Sequence, residues 1–295
     1  MKKKQIFLWI VLAVFIPSLS INTLSAQSPK DIMIKVKKVT KESFNTSIQR
    51  IKLSTCKYTV SDKRIVCTEE PRNKLLESVA KNYGDNKQDS RSVSIIIEPK
   101  KEKGVGMLTY EYGELGKDND SWIYLPELSK VKRLASSADS NDSSGSFFGS
   151  EFSLEDMEDL KINEYTFKIL SEEKYKGREA WVIEYTPNAE RAKKSKYNKT
   201  ISWIDKERYI SLKKNIYVHG EPYKQLTMSD IEKIDGVWIA KKLTMNNLST
   251  RTLSIMNMVS VAFDQEISDE FLTTRTLEDF TFRERNLSKF RDNLK

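Results

Sequence analysis

TISWIDKERYISLKKNIYVHGEPYKQLTMSDIEKIDGVWIAKKLTM, residues 200–245, alternates apolar and polar side chains in runs that turn residues separate. The runs are residues 200–205, 209–218, 223–233 and 237–245. Alternation with a period of two is the pattern of a strand with one buried face. Lys206-Glu207 and Asp235-Gly236 supply turns between the runs. Because such short connections join antiparallel neighbours, the stretch predicts an antiparallel meander.

Strand patterns extend from this meander in both directions along the chain. Further strands are predicted at residues 92–99, 106–113, 121–128, 130–135, 165–170, 180–186 and 252–263. The fold class is therefore mainly β with few helices. Two architectures satisfy it: a sandwich of two sheets, or one strongly curved antiparallel sheet that forms an incomplete (half) barrel.

A few short helices are predicted outside the meander. Residues 29–38 fit an amphipathic helix or a first strand, and we favour the helix. Residues 69–83 show apolar side chains at helical spacing, and Ser153 can cap a helix at 153–160. Residues 136–146 carry no apolar period and predict a flexible loop. In a half-barrel, the last two helices and this loop would cover the concave face.

The N-terminus has the pattern of a cleavable export signal. Lysines at 2–4 precede an apolar run at 6–16, and a small residue, Ala26, suits cleavage by signal peptidase. We therefore expect a signal peptide at 1–26 and a single domain at 27–295, located in the periplasm. The residue after the site is not Cys, so no lipid anchor is expected.

The two cysteines of the chain, Cys56 and Cys67, lie in an oxidising compartment if the export signal is correct. Short alternating runs on both sides of Ser61-Asp62 predict a hairpin that places Cys56 opposite Cys67. A disulfide is expected if the two side chains approach closely enough. A metal site is not expected, because the one histidine, His219, is far away in sequence.

Motifs of catalysis are missing from the sequence. His219 has no Gly-x-Ser-x-Gly nucleophile beside it in the chain, and no Gly-rich phosphate loop or cluster with metal spacing occurs. We expect no enzyme activity, no metal and no cofactor. The net charge falls from +8 to +5 when the three leader lysines are subtracted. That positive excess is modest, and we expect no binding to nucleic acid. We also expect a monomer.

Aromatic side chains are the best candidates for a binding site. Those that fall within predicted strands are Trp122, Tyr124, Trp181, Trp203 and Trp238. Each could be an ordinary core residue. Together with Phe147, Phe148 and Phe152, however, they suffice to line a hydrophobic cavity.

Two segments of this sequence resemble a known family. DSWIYLPELSKVKRLA at 120–135 and GSFFGSEFSLEDM at 145–157 are similar to the signature of the LolA-like outer-membrane lipoprotein-sorting proteins. That signature has a Trp-x-Tyr-Leu-Pro strand, basic residues and a Gly-Ser-Phe-x-Gly-Ser-Asp-Phe segment. Glu151 stands where the family usually has Asp. GREAWVIEYTP at 177–187 and DGVWIAKKL at 235–243 are also similar in order and spacing.

The resemblance implies a half-barrel with a helical lid whose interior takes up lipid or lipoprotein acyl chains during transfer toward the outer membrane. It adds Leu125 and Pro126 to the cavity candidates. An inner-membrane lipid transporter of the resistance-nodulation-division type is an implied partner. The alternative is a non-catalytic periplasmic scaffold, or an accessory subunit that docks on a lipid-exporting transporter. The cavity is expected where Trp122 and Tyr124 meet Phe147, Phe148 and Phe152, with residues 136–146 at its rim.

The expected leader predicts the end of the mature chain. Mass analysis of protein recovered from the periplasm should find an unmodified terminus near Gln27, because Ala26 ends a cleavage motif and no Cys follows it. An acylated terminus would contradict this expectation.

Overall fold

One antiparallel sheet contains every strand that the structure describes. The computed structural model describes residues 27–62, 64–134 and 145–294. The expected leader and residues 136–144 of the expected loop lie outside them. The strands are β1 (Thr46–Ser61), β2 (Arg64–Cys67), β3 (Arg72–Tyr83), β4 (Asp89–Glu98), β5 (Gly106–Glu111), β6 (Asp120–Leu125), β7 (Lys130–Leu134), β8 (Tyr165–Tyr175), β9 (Arg178–Pro187), β10 (Lys199–Asp205), β11 (Ser211–Val218), β12 (Glu221–Ile234), β13 (Val237–Asn247) and β14 (Thr252–Phe263).

The strand order is that of two meanders joined by one long-range pairing. The order is β7-β6-β5-β4-β3-β1-β14-β13-β12-β11-β10-β9-β8, and β2 pairs with β1 alone. β1 and β14 run antiparallel from Ser47 opposite Phe263 to Lys57 opposite Thr252. The meander predicted at 200–245 is confirmed as β10 to β13, with its register fixed by the expected turns.

The sheet curls until its two ends approach each other. Glu164, the residue before β8, accepts at Oε1 a hydrogen bond from the backbone N–H of Gly116, between β5 and β6, at 3.2 Å. β5 and β8 are ten strand positions apart in the sheet. A flat sheet would separate them by about 48 Å, at about 4.8 Å per strand. β7 and β8 do not pair, so the curved sheet is not closed into a barrel.

Five α-helices accompany the described part of the sheet. They are α1 (Pro29–Thr40), α2 (Leu154–Met157), α3 (Ala189–Ala192), α4 (Thr274–Glu278) and α5 (Phe280–Arg291). Single 3₁₀ turns occur at Lys100–Glu102, Pro126–Leu128, Ile162–Glu164 and Asp269–Leu272. No helix among the described residues has the length and apolar character needed to cross a membrane.

α1 identifies the concave face of the sheet. The helix packs on β8 and β13, and Lys41 at its end reaches Ser90 of β4 and Glu111 of β5, at 3.2 and 3.1 Å. A 12-residue helix is about 18 Å long. Only the inner side of a curved sheet lets so short an element reach strands from both halves.

α4 and α5 lie on the opposite, convex face. Val79, Val93, Leu108 and Trp122 are opposed in register across β3 to β6, so their side chains share one face. The C-terminal segment covers this row with Leu277 and with three buried phenylalanines, Phe271, Phe282 and Phe290. The sequence predicted helical cover for the concave face alone, and it did not predict α4 and α5 on the convex face.

The helix predictions had mixed outcomes. The helix favoured at 29–38 is confirmed as α1, and the one at 153–160 forms over Leu154–Met157 alone. The helix predicted at 69–83 is wrong, because this segment is β3. Leu76 faces the concave side and Val79 the convex side, and both are buried. A strand buried on both faces loses its alternation, and its apolar residues then imitate helical spacing.

The cysteine hairpin forms as β1 and β2, but the two cysteines are not opposite each other. Cys67 faces Tyr58, and Cys56 faces Leu253 of β14. The structure nevertheless joins Cys56 and Cys67 by a disulfide, with their Cα atoms 5.8 Å apart.

Thiol counting on unreduced, denatured protein should therefore find no free thiol.

A buried carboxylate attaches α5 to the convex face. Glu77 of β3 is 2% exposed and accepts hydrogen bonds from Arg50 at 3.0 Å and from Arg291 at 2.7 Å. Burial alone would raise the pKa of Glu77, but the hydrogen bonds from Arg291 and Arg50 outweigh it and hold the pKa below its usual value. The carboxylate is therefore ionised in the folded protein at neutral pH.

Replacing this carboxylate should destabilise the fold in a pH-dependent way. Glu77→Gln should lower the free energy of unfolding by about 3 kcal/mol at pH 7, because the half-buried guanidinium of Arg50 loses its counter-charge and that of Arg291 keeps only Glu284. Since the folded pKa is depressed, the contribution is present above the unfolded pKa of about 4.3 and disappears as the pH falls through the folded value. Urea unfolding at several pH values measures both.

Glu284→Gln is the matched control. Glu284 also binds Arg291, at 3.0 Å, but its side chain is 29% exposed. Its replacement should cost less than about 1 kcal/mol. If both variants lost the same amount of unfolding free energy, the role assigned to Glu77 would be wrong.

Candidate functional site on the concave face

A short irregular segment fills the middle of the concave face. We name residues 145–153 the aromatic plug. An isolated bridge joins Ser146 and Ser153 at its two ends, and Phe147 N–H donates to Phe152 O at 2.8 Å. The rings of Phe147 and Phe148 meet edge to face, with centroids 4.8 Å apart. The plug is therefore a small closed loop that presents aromatic rings to the sheet.

The turn inside the plug is conformationally unusual. Phe148 and Gly149 have φ of 50° and 72°, both in the left-handed region. Glycine accepts this region freely, but for a bulky residue such as Phe it is a strained conformation. Phe148 is only 6% exposed in this position. Burial of its ring offsets the strain, so the turn depends on the contact between plug and sheet.

The plug covers an apolar surface that comes from both meanders. This concave cluster contains Ile51, Leu53, Leu76, Ile96, Met107, Ile216, Leu226, Met245 and Met256, with Met228 and Leu243 packed against it. Phe147 and Phe152 are 7% and 1% exposed within it. The plug covers this cluster, and Leu154 of α2 packs against the same cluster.

Polar contacts hold the plug at its sides. Lys74 donates to Phe148 O at 2.8 Å and pairs with Glu102 at 2.6 Å. Glu151 N–H donates to Ser254 Oγ at 2.9 Å, and Asn247 donates to the Glu151 carboxylate at 2.6 Å. Glu151 thus makes specific contacts at the position where the resembling family usually has Asp.

α2 continues from the plug and attaches to the sheet through Asp156. Ser153 and Asp156 form the predicted capping box. The Asp156 carboxylate also accepts hydrogen bonds from Lys224 at 2.9 Å and from Tyr197 at 2.8 Å. Lys224 and Asp156 are 5% and 2% exposed, so this is a buried ion pair. It fixes one end of the plug to β12.

Beside α2 lies a polar pocket of about 100 Å³, which we name the concave pocket. Tyr165, Tyr185, Tyr197, Glu155, Glu158, Arg191 and Lys214 are among the residues that line it. Ile216 and Leu226, which belong to the concave cluster, also line it. The polar pocket and the apolar surface under the plug are therefore contiguous.

Burial shifts the ionisation of several groups in the concave pocket. It raises the pKa of Glu155 and of Glu158. The Arg191 guanidinium, 3.2 Å from the Glu155 carboxylate and 3.0 Å from that of Glu158, offsets only part of each shift. Burial also raises the pKa of Tyr197 far above its usual value, so its hydroxyl remains a donor. It lowers the pKa of Lys214, and Asp156 opposes that shift. The pocket is thus a partly dehydrated polar site.

A second, larger cavity of about 380 Å³ opens at the rim of the sheet. Lys37 of α1, Glu111, Tyr112, Asp159 and Ile162 are among its lining residues. Its lining is mostly polar, and none of the predicted aromatic residues contributes to it. It does not have the character of an acyl-chain site.

The structure separates the aromatic residues that the sequence expected at one cavity. Phe147, Phe148 and Phe152 lie on the concave face. Trp122 and Tyr124 pack with the convex cluster beneath α4 and α5, where the Trp122 ring lies 5.0 Å from the Tyr110 ring. The single cavity bordered by all five residues is therefore not formed. Because side chains alternate along β6, Trp122 and Tyr124 both point to the convex face. The plug lies on the concave face.

The remaining candidates are dispersed. Leu125 ends β6 and Pro126 begins a 3₁₀ turn, both half-buried. Trp181 lies with the residues that contact α1, its ring 5.6 Å from that of Tyr209. Trp203 donates to Glu173 at 2.6 Å, with Lys213 over its ring. Arg208 and Lys233 lie over Trp238.

The buried polar groups of the concave face were missed by the sequence prediction. Beyond the capping box at the start of α2, the sequence predicted no binding or structural role for Asp156, Lys214, Lys224 or Tyr197. A weak signal was present, since the strand alternation of 209–218 and 223–233 places Lys214 and Lys224 at inward positions. An inward lysine in an otherwise regular strand marks a position at which burial has a functional or structural cause.

Comparisons with known proteins agree with this architecture. A family model described as "-like: Uncharacterized protein" matches residues 88–279, more than half of the chain. The chain belongs to that family. No curated protein matches the sequence.

Three solved structures are similar to this chain. A putative outer membrane lipoprotein-sorting protein domain from Vibrio parahaemolyticus is 26% identical, with a TM-score of 0.73, over 85% of this chain and 98% of that one. A DUF1329 family protein from Desulfovibrio piger is 23% identical, with a TM-score of 0.73, over 84% and 97%. A LolA superfamily protein from Nitrosomonas europaea is 16% identical, with a TM-score of 0.59, over 84% and 98%. The LolA-like fold expected from the sequence is confirmed.

The position of Trp122 makes a specific prediction about binding. Trp122→Ala should lower the free energy of unfolding by about 3 kcal/mol, because the ring packs in the convex cluster. It should leave the binding of a fluorescent fatty acyl probe unchanged, since the ring does not reach the concave face. Urea unfolding and a probe titration measure the two effects. If folded Trp122→Ala protein lost its binding of the probe, Trp122 would be part of the binding site, contrary to this prediction.

Proposed function

We propose that the protein is a periplasmic carrier that binds lipid or lipoprotein acyl chains on the concave face of its sheet. The observation that carries the proposal is the aromatic plug, which covers an extensive apolar surface without being part of a helix or strand. A carrier needs apolar surface that becomes available to the ligand and is protected from water otherwise. The similarity to a lipoprotein-sorting domain supports the same class of ligand.

The plug is suited to movement because its attachments are few and local. Lys74, Asn247 and Ser254 contact it through single side-chain hydrogen bonds, and Lys224 holds the adjoining α2 through Asp156. Its left-handed turn at Phe148 is strained, so displacement of the ring would relieve strain while it exposes the ring. An acyl chain that replaced the rings would contribute about 0.8 kcal/mol for each buried methylene.

The sheet side of the site is suited to ligands of variable shape. Met107, Met228, Met245 and Met256 all contribute to the concave cluster. Methionine has an unbranched, polarizable side chain that adapts to irregular partners. A surface with four methionines can therefore repack around an acyl chain after the plug leaves.

This function requires burial and release and no covalent chemistry. The residues that the structure describes contain no group of His, Cys, Asp and Glu arranged for a metal ion. His219 lies in a turn with φ of 51°. Within the proposal, Trp181 beside α1 is a further contact for the acyl chain. Transfer toward the outer membrane, a monomeric carrier and a resistance-nodulation-division transporter as donor belong to the same proposal.

Native mass spectrometry tests the proposal directly. Protein purified from its host under mild conditions should carry an additional mass that organic extraction removes and that fragments as a lipid. A wild-type protein that retains no lipid and binds no added acyl probe would contradict the carrier function. It would favour the scaffold that docks on a transporter.

A substitution in the plug should strengthen binding. The plug must leave the concave cluster before a chain can occupy it, so burial of the Phe148 ring opposes binding. Phe148→Ala should therefore bind cis-parinaric acid about tenfold more tightly, because removal of the ring lowers the cost of displacement by about 1.5 kcal/mol. Fluorescence titration of the probe measures the affinity.

Phe290→Ala is the matched control for this substitution. Phe290 is similarly buried, at 8% exposure, but packs in the convex cluster. Both variants should lose stability. Only the plug variant should change its affinity for the probe, and an equal change in both would attribute the effect to loosening of the whole fold.

A further inference from the structure

We infer that Lys214 is an anion-binding residue in the concave pocket, so that the ligand is an amphiphile with a negatively charged headgroup, phosphate or carboxylate. This inference rests on the proposed function and specifies its ligand. The acyl chain would lie under the aromatic plug, and the headgroup would occupy the concave pocket.

The first observation is that Lys214 has no carboxylate partner in the part of the chain that the structure describes, whereas the other cations that line the concave pocket have one. Arg191 binds Glu155 and Glu158, and Lys199 lies 3.8 Å from Glu184. Lys214, the remaining cation of the pocket lining, forms no ion pair or side-chain hydrogen bond with the described residues. The Lys214 side chain is half-buried and its ammonium has no counter-ion among the described residues, so a bound anion would stabilise it.

The second observation is where the Lys214 side chain lies. Lys214 is opposite Ser202 of β10 and Leu226 of β12, and Leu226 belongs to the concave cluster. Lys214 therefore faces inward, whereas the adjacent Lys213 faces the convex side over Trp203. The two neighbouring lysines have the same charge and lie on opposite faces of one strand.

The third observation is the connection between the pocket and the apolar surface. Ile216 and Leu226 line the concave pocket and also belong to the cluster under the plug. A molecule with a polar head in one place and an apolar chain in the other fits this arrangement. The pocket volume of about 100 Å³ corresponds to roughly three waters at about 30 Å³ each, so it admits a small headgroup.

The surroundings of Lys214 contain further donors. Tyr185 and Thr200 line the same pocket, and burial raises the pKa of Tyr185, so its hydroxyl stays protonated. The Asp156 carboxylate acts on Lys214 through space and is itself paired with Lys224 at 2.9 Å. Glu155 and Glu158 of the same pocket share one cationic partner, Arg191, so Lys214 supplies the positive charge with which an added anion would pair.

Lys214→Met and Lys213→Met, measured against two probes, test the inference. The probes are cis-parinaric acid and its uncharged methyl ester. Lys214→Met should weaken binding of the acid about tenfold or more, because a hydrogen bond to a charged group is lost, and should leave ester binding within about twofold of wild type. Lys213→Met, which removes the same charge from the other face, should change neither.

Displacement experiments separate the two headgroup chemistries. Lysophosphatidic acid and oleate should both displace the bound acid probe from wild-type protein, and monoacylglycerol should displace it poorly. Stronger displacement by lysophosphatidic acid identifies phosphate as the preferred group, and stronger displacement by oleate identifies carboxylate. Circular dichroism and thermal melting establish that both lysine variants are folded.

The outcomes distinguish this inference from the proposed function. If wild type binds acid and ester equally and Lys214→Met matches it, the anion site is wrong and the carrier function stands. Equal weakening of acid and ester in Lys214→Met would likewise show that Lys214 acts through packing and not through charge. If wild type binds neither probe, both the anion site and the carrier function are wrong.

Discussion

The pairing of β1 with β14 is the contact on which the rest of the structure depends. Each meander is built from neighbours in sequence, and its hairpins can form locally. The β1–β14 ladder joins residues about two hundred positions apart and makes one sheet from the two. Both the concave and the convex surfaces cross this seam. The ion pair of Arg50 with Glu77 and the contact of Leu53 with Met256 lie on or next to it. Without the seam, neither the plug nor α5 would have a complete surface to cover.

A sheet of this width has two faces to protect, and the chain protects them in different ways. The convex face of β3 to β6 is covered by the helical C-terminal segment, with Phe271, Phe282 and Phe290 packed beneath it and Arg291 bound to Glu77. The concave face is covered in part by α1, and its centre by the plug together with Leu154 of α2. Regular elements are harder to displace, because their backbone hydrogen bonds form cooperatively. A nine-residue loop held by side chains is easier to displace, so under the proposed function the concave face is the one at which a ligand would be bound and released.

The sequence predicted the fold class well where local physics determines structure. β10 to β13 follow from alternation and from turns such as Asp235-Gly236, and the capping box at Ser153 follows from two side chains. β3 was mistaken for a helix because burial on both faces removed its period. The site was predicted less well. Trp122 and Phe148 lie close in sequence, but the face on which each lies depends on the register of β6 and on the path of the chain over the sheet. Neither can be derived from residue types, and the inward position of Lys214 matters only once the sheet is known to curve around it.

The polar groups on the concave face connect the plug to the pocket beside it. Asp156 caps α2, whose start follows the plug, and the same carboxylate binds Lys224 and Tyr197 at the edge of the concave pocket. An anion that bound Lys214 would enter the field of Asp156 and repel it. Repulsion of a buried carboxylate weakens its ion pair with Lys224, and that ion pair fixes one end of the plug. A headgroup in the pocket would thus loosen the cover over the apolar surface on which its own acyl chain must lie. An uncharged amphiphile would have to displace the intact plug. In a carrier with this anion site, charge would select the ligand before apolar contact held it, because the headgroup would have to bind before the plug moved.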